Sequence, residues 1–323
     1  LLADYKVLVL TLNDRDISPS VQRMVANRDQ TINADDAAKL IGCINALSKQ
    51  IVGDDGIIKQ LDPRPMKRAV AFCQTINVSK GIANNFNDVS ENYIADLPDE
   101  VQERILGVEA KHVDGTMSAT MRDGLLSWLK QDGEECRILT NVRCLSEGVD
   151  VPSLDAVMFL AARNSQVDVV QSVGRVMRLS EGKKYGYIII PVIIPSGVSA
   201  ERALEDNVRY KVVWQVLNAL RAHDDRFNAT INKIELNRKR PDNILVGRPD
   251  LAFDENGNPI FSEGKFGEGI QMKLQLEFEE LQDTVYARMV KKVGDRQYWE
   301  QWAASVAEIA EKQIARLSDL VKH

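Results

Sequence analysis

The sequence predicts an α/β protein built on a parallel β-sheet that helices cover on both faces. Short runs rich in Val, Ile and Leu alternate with helical patterns between residues 67 and 195. Such runs are typical of strands buried on both faces, and strand–helix alternation produces a parallel sheet. The predicted strands are Arg68–Cys73, Lys111–Val113, Arg137–Thr140, Ala156–Leu160 and Gly186–Pro191, and another strand-like run, Tyr5–Leu10, opens the chain.

Amphipathic patterns predict the helices that cover this sheet. Apolar residues recur at helical spacing in three segments, which are Val78–Phe86 after an Asn77 cap, Ser118–Leu129 and Gln166–Met177. Residues 20–60 are predicted to be helical and peripheral, ending in the loop Gly53–Gly56. Each helix can therefore bury one apolar face against the strands.

The chain after residue 197 has a different pattern. Long amphipathic segments predict helices over residues 199–223 and 297–321, and Asn256-Gly257 predicts the turn of a β-hairpin over residues 250–262. We therefore divide the chain into a lead-in (1–66), an α/β lobe (67–197) and a mainly helical domain with a small β-hairpin (198–323). Because the chain opens on Leu1 directly before a strand-like run, we expect it to be part of a longer protein.

The bulk composition limits the function classes. With 44% hydrophobic and 27% charged residues, the composition is that of an ordinary globular protein, and no apolar run reaches the roughly 20 residues that span a bilayer. The net charge of −6 means that any contact with nucleic acid must be local or shared with parts of the protein outside this sequence. The four cysteines, Cys43, Cys73, Cys136 and Cys144, have no metal-ligand spacing, so we expect reduced thiols, a cytoplasmic location and no metal site in this chain.

The segment that carries the chemistry of anion binding is Gln171–Arg178. Arg175 and Arg178 lie three residues apart at the end of a helical pattern, which places both guanidinium groups on one face. Two permanent charges on one face favour an anionic partner, and guanidinium groups suit phosphate oxygens. Gly174 permits close approach of a backbone. The alternative is a solvated basic turn at a helix end, where cations are favoured anyway.

An earlier segment, Thr140–Pro152, has the residues of a second phosphate contact. Thr140 ends a predicted strand, Gly148 exposes backbone N–H groups, and Asp150 can accept a hydrogen bond from a ribose hydroxyl or orient an arginine. Alone, this segment is also consistent with an ordinary turn at a strand end. The order of strand, Thr, Gly-x-Asp loop, strand, helix and Gly-Arg-x-x-Arg is the specific feature.

That order resembles the second, RecA-like lobe of superfamily 2 helicases. Thr140–Pro152 looks like motif V and Gln171–Arg178 like motif VI of that family. Ala69–Gln74 is similar to motif IV, and Val113–Ser118 with Arg122 is similar to the segment that precedes motif V. The resemblance covers residues 67–195 and implies a RecA-like fold for this lobe.

The resemblance also implies roles for residues. Arg175 and Arg178 would be arginine fingers that reach the γ-phosphate across the interface with a preceding lobe, and such a finger is worth about 10³–10⁵ in rate. Gln171, Gly148 and Asp150 would contact the nucleotide, while Thr140 and Gly115 would contact the nucleic-acid backbone. The sequence has no phosphate loop G-x-x-x-x-G-K-[ST], so ATP and Mg²⁺ would be bound mostly by the missing first lobe, and we expect this chain alone not to hydrolyse ATP.

The sequence departs from the RNA helicases of the DEAD-box type. Those proteins have Arg-Gly in motif V and His-Arg at the start of motif VI, where this chain has Glu147-Gly148 and Gln171-Ser172. The difference favours DNA over RNA as the partner. The form Ser-Glu-Gly-Val-Asp-Val-Pro, residues 146–152, resembles the motor parts of restriction–modification enzymes, and implies ATP-driven translocation or unwinding of DNA by the whole protein.

Two other function classes stay open at this stage. A helicase-like lobe that has lost its chemistry would bind DNA or a partner protein without catalysis. A cofactor-binding α/β enzyme is disfavoured because no G-x-G-x-x-G follows the early strands. Two motifs mimic parts of an ATP site: Asp99-Glu100 is predicted to begin a helix instead, and Gly182-Lys183-Lys184 does not fit a phosphate loop. His112 has no ligand or triad spacing.

Overall fold

A parallel β-sheet is the frame of the structure. The computed structural model describes residues 4–13, 17–27, 32–53, 56–57, 62–143, 145, 154–161, 166–176, 178, 180–194, 207–227, 229, 243–253 and 259–261. Its strands are β1 (Asp4–Leu12), β2 (Ile51–Gly53), β3 (Gly56–Ile57), β4 (Arg68–Phe72), β5 (Val108–His112), β6 (Cys136–Asn141), β7 (Ala156–Phe159), β8 (Tyr185–Ile193), β9 (Ile244–Pro249), β10 (Leu251–Phe253) and β11 (Pro259–Phe261).

Nine of these strands form one sheet in the order β3-β2-β9-β1-β8-β7-β4-β6-β5. Every neighbouring pair from β9 to β5 is parallel. Only the short strands β2 and β3 run antiparallel, at one edge of the described sheet. The predicted α/β class with a parallel sheet is therefore confirmed. The predicted hairpin is also confirmed, because β10 pairs antiparallel with β11, although its turn residues lie outside the described part.

Helices lie on both faces of the sheet. The helices are α1 (Pro19–Ala26), α2 (Ala34–Leu47), α3 (Ile76–Ala95), α4 (Asp99–Gln102), α5 (Ala119–Lys130), α6 (Gln166–Val176) and α7 (Asn207–His223). The side chains of β1 show how the strands divide between the two cores. Val7 and Val9 pack with α5, α6 and α7, while Leu8 and Leu10 pack with α1, α2 and α3. Alternation along a strand that is buried on both faces explains why its sequence is apolar throughout.

The segment over residues 20–60 is less peripheral than predicted. Ten of the fourteen residues of α2 are buried, and the helix is followed by β2 and β3 rather than by more helix. A Cβ atom on Gly42 would lie 2.6 Å from Cδ2 of Leu12, so the glycine allows α2 to pack directly on β1. The prediction of a peripheral helical region was wrong because small residues in α2 conceal how close it comes to the sheet.

The sheet continues across both predicted domain limits. β1 pairs with β8 along nine residues, from Asp4 opposite Tyr185 to Leu12 opposite Ile193. On its other side β1 pairs with β9, a strand within the segment predicted to be mainly helical. Residues before 67 and after 197 thus contribute strands to the same sheet as the central lobe. The limits at 66/67 and 197/198 stay a prediction.

Several element ends differ from the predicted ones. Thr75, not Asn77, caps α3, because its side chain accepts a hydrogen bond from Val78 N. The strand β5 begins at Val108 rather than Lys111, since its polar residues Glu109 and Lys111 conceal an edge strand. Asp99-Glu100 begins α4, as predicted. The predicted helix over residues 297–321 lies outside the described residues.

Two observations concern the cellular setting. Cys43, Cys73 and Cys136 are buried free thiols, while Cys144 lies outside the described residues. In the part of the chain that the structure describes, no helix is long and apolar enough to cross a membrane.

Candidate functional site

A buried hydrogen-bond network lies where three neighbouring strands end. β4, β6 and β5 are adjacent in the sheet, and parallel strands end at a common edge. Ser79 comes from the start of α3, His112 from the end of β5, and Thr140 from the end of β6. The fold thus brings together three segments that are far apart in the sequence.

The network links two hydroxyl groups, an imidazole ring and a carboxylate. Thr140 Oγ1 donates to the carbonyl oxygen of Ser79 at 2.8 Å, and Ser79 Oγ lies 3.0 Å from Thr140 Oγ1 and 2.7 Å from His112 Nδ1. His112 Nε2 lies 2.8 Å from Asp114 Oδ2. Because an ionised carboxylate can only accept, Nε2 of His112 is the donor in this last bond.

Asp114 fixes the turn that carries Gly115. Its Oδ1 accepts hydrogen bonds from Thr116 N at 2.8 Å and from Thr116 Oγ1 at 2.5 Å, and Lys80 Nζ lies 3.8 Å from its Oδ2. The hydrogen bonds from Thr116 and His112 hold the pKa of Asp114 well below its usual range. The carboxylate is therefore ionised at neutral pH and ties the end of β5 to the turn that follows.

The network has the connectivity of a Ser–His–Asp triad, which the sequence did not indicate. Ser79 and His112 are separated by 33 residues along the chain, so no local spacing reveals their contact. However, Ser79 is completely buried, and a hydroxyl nucleophile must reach its substrate. We therefore interpret the network as structural support for the strand ends rather than as a hydrolytic site.

The two residues predicted to contact nucleic acid lie on this edge but differ in exposure. Thr140 is completely buried, and its hydroxyl bonds to Ser79. Gly115 is exposed, and a Cβ atom built on it would have no neighbour within 4 Å among the described residues. The surface at Gly115 is open to a nucleic-acid backbone, whereas the Thr140 hydroxyl can influence a bound strand only through its neighbours. Both assignments stay predictions.

The surface next to Gly115 combines helix starts with apolar side chains. Ile76 and Val78 in the first turn of α3 and Met121 in the first turn of α5 are exposed. Backbone N–H groups at a helix start favour anions. Val78 and Met121 belong to predicted amphipathic helices, whereas Ile76 lies before the predicted start at Val78, and the sequence gave no sign that these apolar side chains stay exposed.

The residues of the predicted nucleotide contact share one side of α6. Val169, Ser172 and Val173 are buried against the rest of the protein, whereas Gln171, Gly174 and Arg178 are exposed and Arg175 is half-buried. Positions 171, 174, 175 and 178 follow the spacing of a single helix stripe. We call Gln171, Gly174, Arg175 and Arg178 the α6 stripe.

The described part of α6 ends inside this stripe. α6 spans Gln166–Val176, so Arg175 lies in its last turn and Arg178 follows it, while Met177 lies outside the described residues. A hydrogen bond of 3.3 Å from Arg178 N to Arg175 O keeps the two residues in one further turn. This bond links Arg178 to the last turn of α6.

Gly174 has free space above it. A Cβ atom at this position would have no neighbour within 4 Å in the described part of the chain. The described contacts do not themselves require a glycine here. The position is thus open to close approach by another protein module or a ligand.

The other two predicted nucleotide contacts, Gly148 and Asp150, lie outside the described residues. Leu145 and Leu154, on either side of the undescribed residues 146–153, are buried in the same apolar core as α6. This core contact brings both ends of the segment to the face of the sheet that α6 covers.

Comparison with known proteins identifies the central lobe. Residues 54–180 match the family model described as "Helicase conserved C-terminal domain". Among solved structures, the chain is similar to the ATP-dependent Type ISP restriction-modification enzyme LlaBIII bound to DNA. The two share 37% identity with a TM-score of 0.73, and the match covers 98% of this chain and 19% of the enzyme.

Curated relatives show the same similarity at lower coverage. The Caenorhabditis elegans protein T26G10.1, whose name describes an ATP-dependent RNA helicase, is 27% identical over 210 residues, which are 63% of this chain and 37% of that protein. The "Probable helicase A859L" of an African swine fever virus isolate is 28% identical over 185 residues, which are 56% of this chain and 20% of that protein. The chain therefore spans well under half the length of each of these relatives.

Proposed function

We propose that this chain, which carries the C-terminal lobe of a superfamily 2 helicase, supplies the arginine side of the ATP site in an ATP-dependent DNA helicase or translocase. The α6 stripe is the observation that carries the proposal, because it places Arg175 and Arg178 next to an open glycine on a side of α6 that faces away from the sheet. A preceding lobe of the same polypeptide would hold most of the triphosphate and its Mg²⁺.

The charges of the stripe fit this role. Arginine is permanently charged, and exposed cations at a helix end contribute little to the stability of a fold. The same guanidinium groups strongly lower the free energy of the transition state when a phosphate with developing negative charge lies against them in a site closed to water. The residues of this chain would therefore bind and orient the γ-phosphate, with Gln171 beside it and with Gly148 and Asp150 on the phosphate and ribose side.

The nucleic-acid side of the proposal rests on the strand ends. The exposed turn at Gly115 and the first turns of α3 and α5 offer backbone N–H groups to phosphates, while Ile76, Val78 and Met121 offer apolar contact to sugars. Such contacts carry no sequence information. Thr140 would act on the strand through Ser79, by keeping the start of α3 in place.

DNA is the nucleic acid that we favour. The restriction-modification enzyme LlaBIII is similar along almost the whole of this chain and is bound to DNA. The residues at motifs V and VI also differ from the pattern of RNA helicases at Glu147 and Ser172. A cytoplasmic location, inferred from the cysteines, completes the proposal.

Arg178→Ala in the intact protein tests the proposed function. We expect the DNA-stimulated rate of ATP hydrolysis to fall by about 10³-fold or more, because the variant loses transition-state charge stabilisation. Affinity for DNA should change by less than about twofold, since Arg178 is not part of the proposed nucleic-acid surface at Gly115 and the first turns of α3 and α5. Steady-state hydrolysis and a DNA-binding titration give the two values.

Lys130→Ala is the matched control, because Lys130 is an exposed cation in the last turn of α5. It should leave both values unchanged. If hydrolysis survives in Arg178→Ala, the assignment of Arg178 is wrong and a non-catalytic helicase-like lobe becomes the better interpretation. A metal-dependent ATPase activity of the isolated chain would also contradict the proposal that another lobe completes the site.

A further inference from the structure

We propose that Lys183 is a positioning residue for Arg178, because its side chain bridges the segment after α6 and the segment before β7. The proposal rests on the proposed function of Arg178 as the residue that contacts the γ-phosphate. Lys183 is not proposed to contact the nucleotide. The role of Lys183 is to hold the backbone of Arg178 in place.

Two backbone carbonyl groups accept hydrogen bonds from Lys183. Its Nζ lies 2.5 Å from the carbonyl oxygen of Leu154 and 3.1 Å from that of Arg178. Leu154 is buried and directly precedes the short approach to β7, so its carbonyl group is a fixed point of the core. A charge-assisted bond to each carbonyl therefore ties Arg178 to the sheet.

The position of this bridge relates the two motifs of the nucleotide contact. Leu154 follows the segment that contains Gly148 and Asp150, and Arg178 ends the α6 stripe. One ammonium group thus joins the exit of the first motif to the end of the second. Displacement of Lys183 would remove the hydrogen bond that joins the carbonyl group of Arg178 to the Lys183 side chain.

A tight turn over residues 180–183 positions Lys183 next to the two carbonyl groups. Lys183 N donates to the carbonyl oxygen of Ser180 at 3.1 Å, and Gly182 adopts a φ of +72°. A non-glycine residue would be strained at this φ, and a Cβ atom on Gly182 would lie 2.5 Å from Nη1 of Arg64. The turn is therefore defined both by its backbone geometry and by the side chain that packs against it.

The ammonium group is held in an environment that disfavours its charge. Lys183 lines a cavity of about 250 Å³ at the amino ends of the strands. Burial lowers the pKa of Lys183 to about 8, and the carboxylate of Asp155 opposes this shift. Other charged residues on the cavity wall are Lys49, Asp62, Arg64, Lys67, Arg68, Asp132, Glu135 and Glu181. A lysine without a structural partner would be more stable in water, so the two carbonyl bonds explain its placement.

Lys183→Met and Lys183→Arg in the intact protein test the proposal. Methionine keeps the apolar stem and removes the donor, so we expect kcat of DNA-stimulated hydrolysis to fall by about 10- to 100-fold, the effect of one or two charge-assisted bonds. KM for ATP should change by less than about threefold, because Lys183 acts on the transition state through Arg178 and not on nucleotide binding. Arginine restores a charged donor, and should recover kcat to within about threefold.

A double-variant cycle separates positioning from a general structural effect. In an Arg178→Ala background, single-turnover hydrolysis should change by less than about twofold when Lys183→Met is added, because the group that Lys183 positions is already gone. An additive loss in that background would overturn the proposal, as would a Lys183→Met protein with unchanged kcat. If Lys183→Met unfolds the protein, Lys183→Gln, which also removes the charged donor, supplies the same comparison, and Lys183→Arg remains the variant that restores kcat.

The outcomes keep the two proposals apart. Loss of hydrolysis in Arg178→Ala with no effect of Lys183→Met would contradict only the proposed role of Lys183. Unchanged hydrolysis in Arg178→Ala would instead contradict the proposed function itself.

Discussion

The network at the strand ends and the α6 stripe differ in how far their polar groups are exposed to solvent. Ser79, His112 and Asp114 are bonded to one another and are largely closed to solvent. Arg178, at the end of the stripe, is exposed together with Gln171 and Gly174. The first region is closed by contacts within this chain, whereas the second is the surface that we propose another module covers.

The difference predicts opposite consequences of substitution. A change in the buried network should lower the stability of the chain, because an unsatisfied buried polar group is costly. A change in the stripe should leave stability nearly unaltered and should act on ATP hydrolysis by the whole protein. The following experiments test the comparison from the largest expected effect on stability to the smallest.

Asp114→Asn should give the largest loss of stability. We expect the free energy of unfolding at pH 7 to fall by about 1.5–3 kcal/mol, because the charged acceptor of Thr116 and His112 is lost. The folded-state pKa of Asp114 is depressed, so its contribution is present above the unfolded pKa of about 3.9 and is lost as pH falls below that value. Urea unfolding of both proteins at pH 7 and at pH 3 measures the difference.

The difference between the two proteins should therefore shrink at pH 3. An equal difference at both values would show that the ionised form of Asp114 does not provide the stability.

Thr140→Val should have a somewhat smaller effect. Valine has nearly the same shape but removes the two hydrogen bonds that join Thr140 to the carbonyl oxygen and the hydroxyl of Ser79, which costs about 1–2 kcal/mol of unfolding free energy. Thr120→Val is the matched control, since Thr120 is exposed on α5 and should tolerate the change. Thermal and urea unfolding provide the measurement. If Thr140→Val and Thr120→Val are equally stable, the buried network does not contribute the stability that distinguishes it from the α6 stripe.

Gly174→Ala should change stability least, and in the opposite direction. Alanine in place of a helical glycine with open space stabilises a helix by up to about 1 kcal/mol. If the stripe faces a closely packed module, the same methyl group should lower DNA-stimulated hydrolysis by the intact protein. Gly124→Ala is the control, because Gly124 lies in α5 and also has open space. That variant should gain stability without losing activity, and a similar activity in both variants would argue against close approach at Gly174.

Parts of the fold could be predicted because the signal is local. The Val- and Ile-rich run in β8 and the helical spacing of Val169 and Val173 in α6 are visible without any knowledge of the sheet. The same is true of the α6 stripe, whose positions follow helical spacing although Arg178 lies after the end of α6. By contrast, β9 is short and was not recognised, because its position next to β1 depends on pairing with a strand more than 200 residues away.

The two features that the sequence concealed both depend on contacts between distant segments. Ser79, His112 and Asp114 meet only because β4, β6 and β5 are neighbours. Lys183 resembled part of a failed phosphate loop, and its bond to Leu154 requires the left-handed turn at Gly182 and the packing of Arg64. Spacing rules describe one helix or strand at a time, so they cannot find either arrangement.

The place of β1 in the sheet has a consequence for synthesis of the protein. The strand is made first among the described elements, yet its neighbours β8 and β9 come from residues 185–193 and 244–249. During translation the backbone N–H and C=O groups of β1 stay unpaired until both neighbouring strands have been made. Unpaired strand edges of this kind are sites of aggregation. A truncated version that stops at residue 197 would leave one side of β1 permanently bare, so soluble expression of the lobe should require the chain to extend past Pro249.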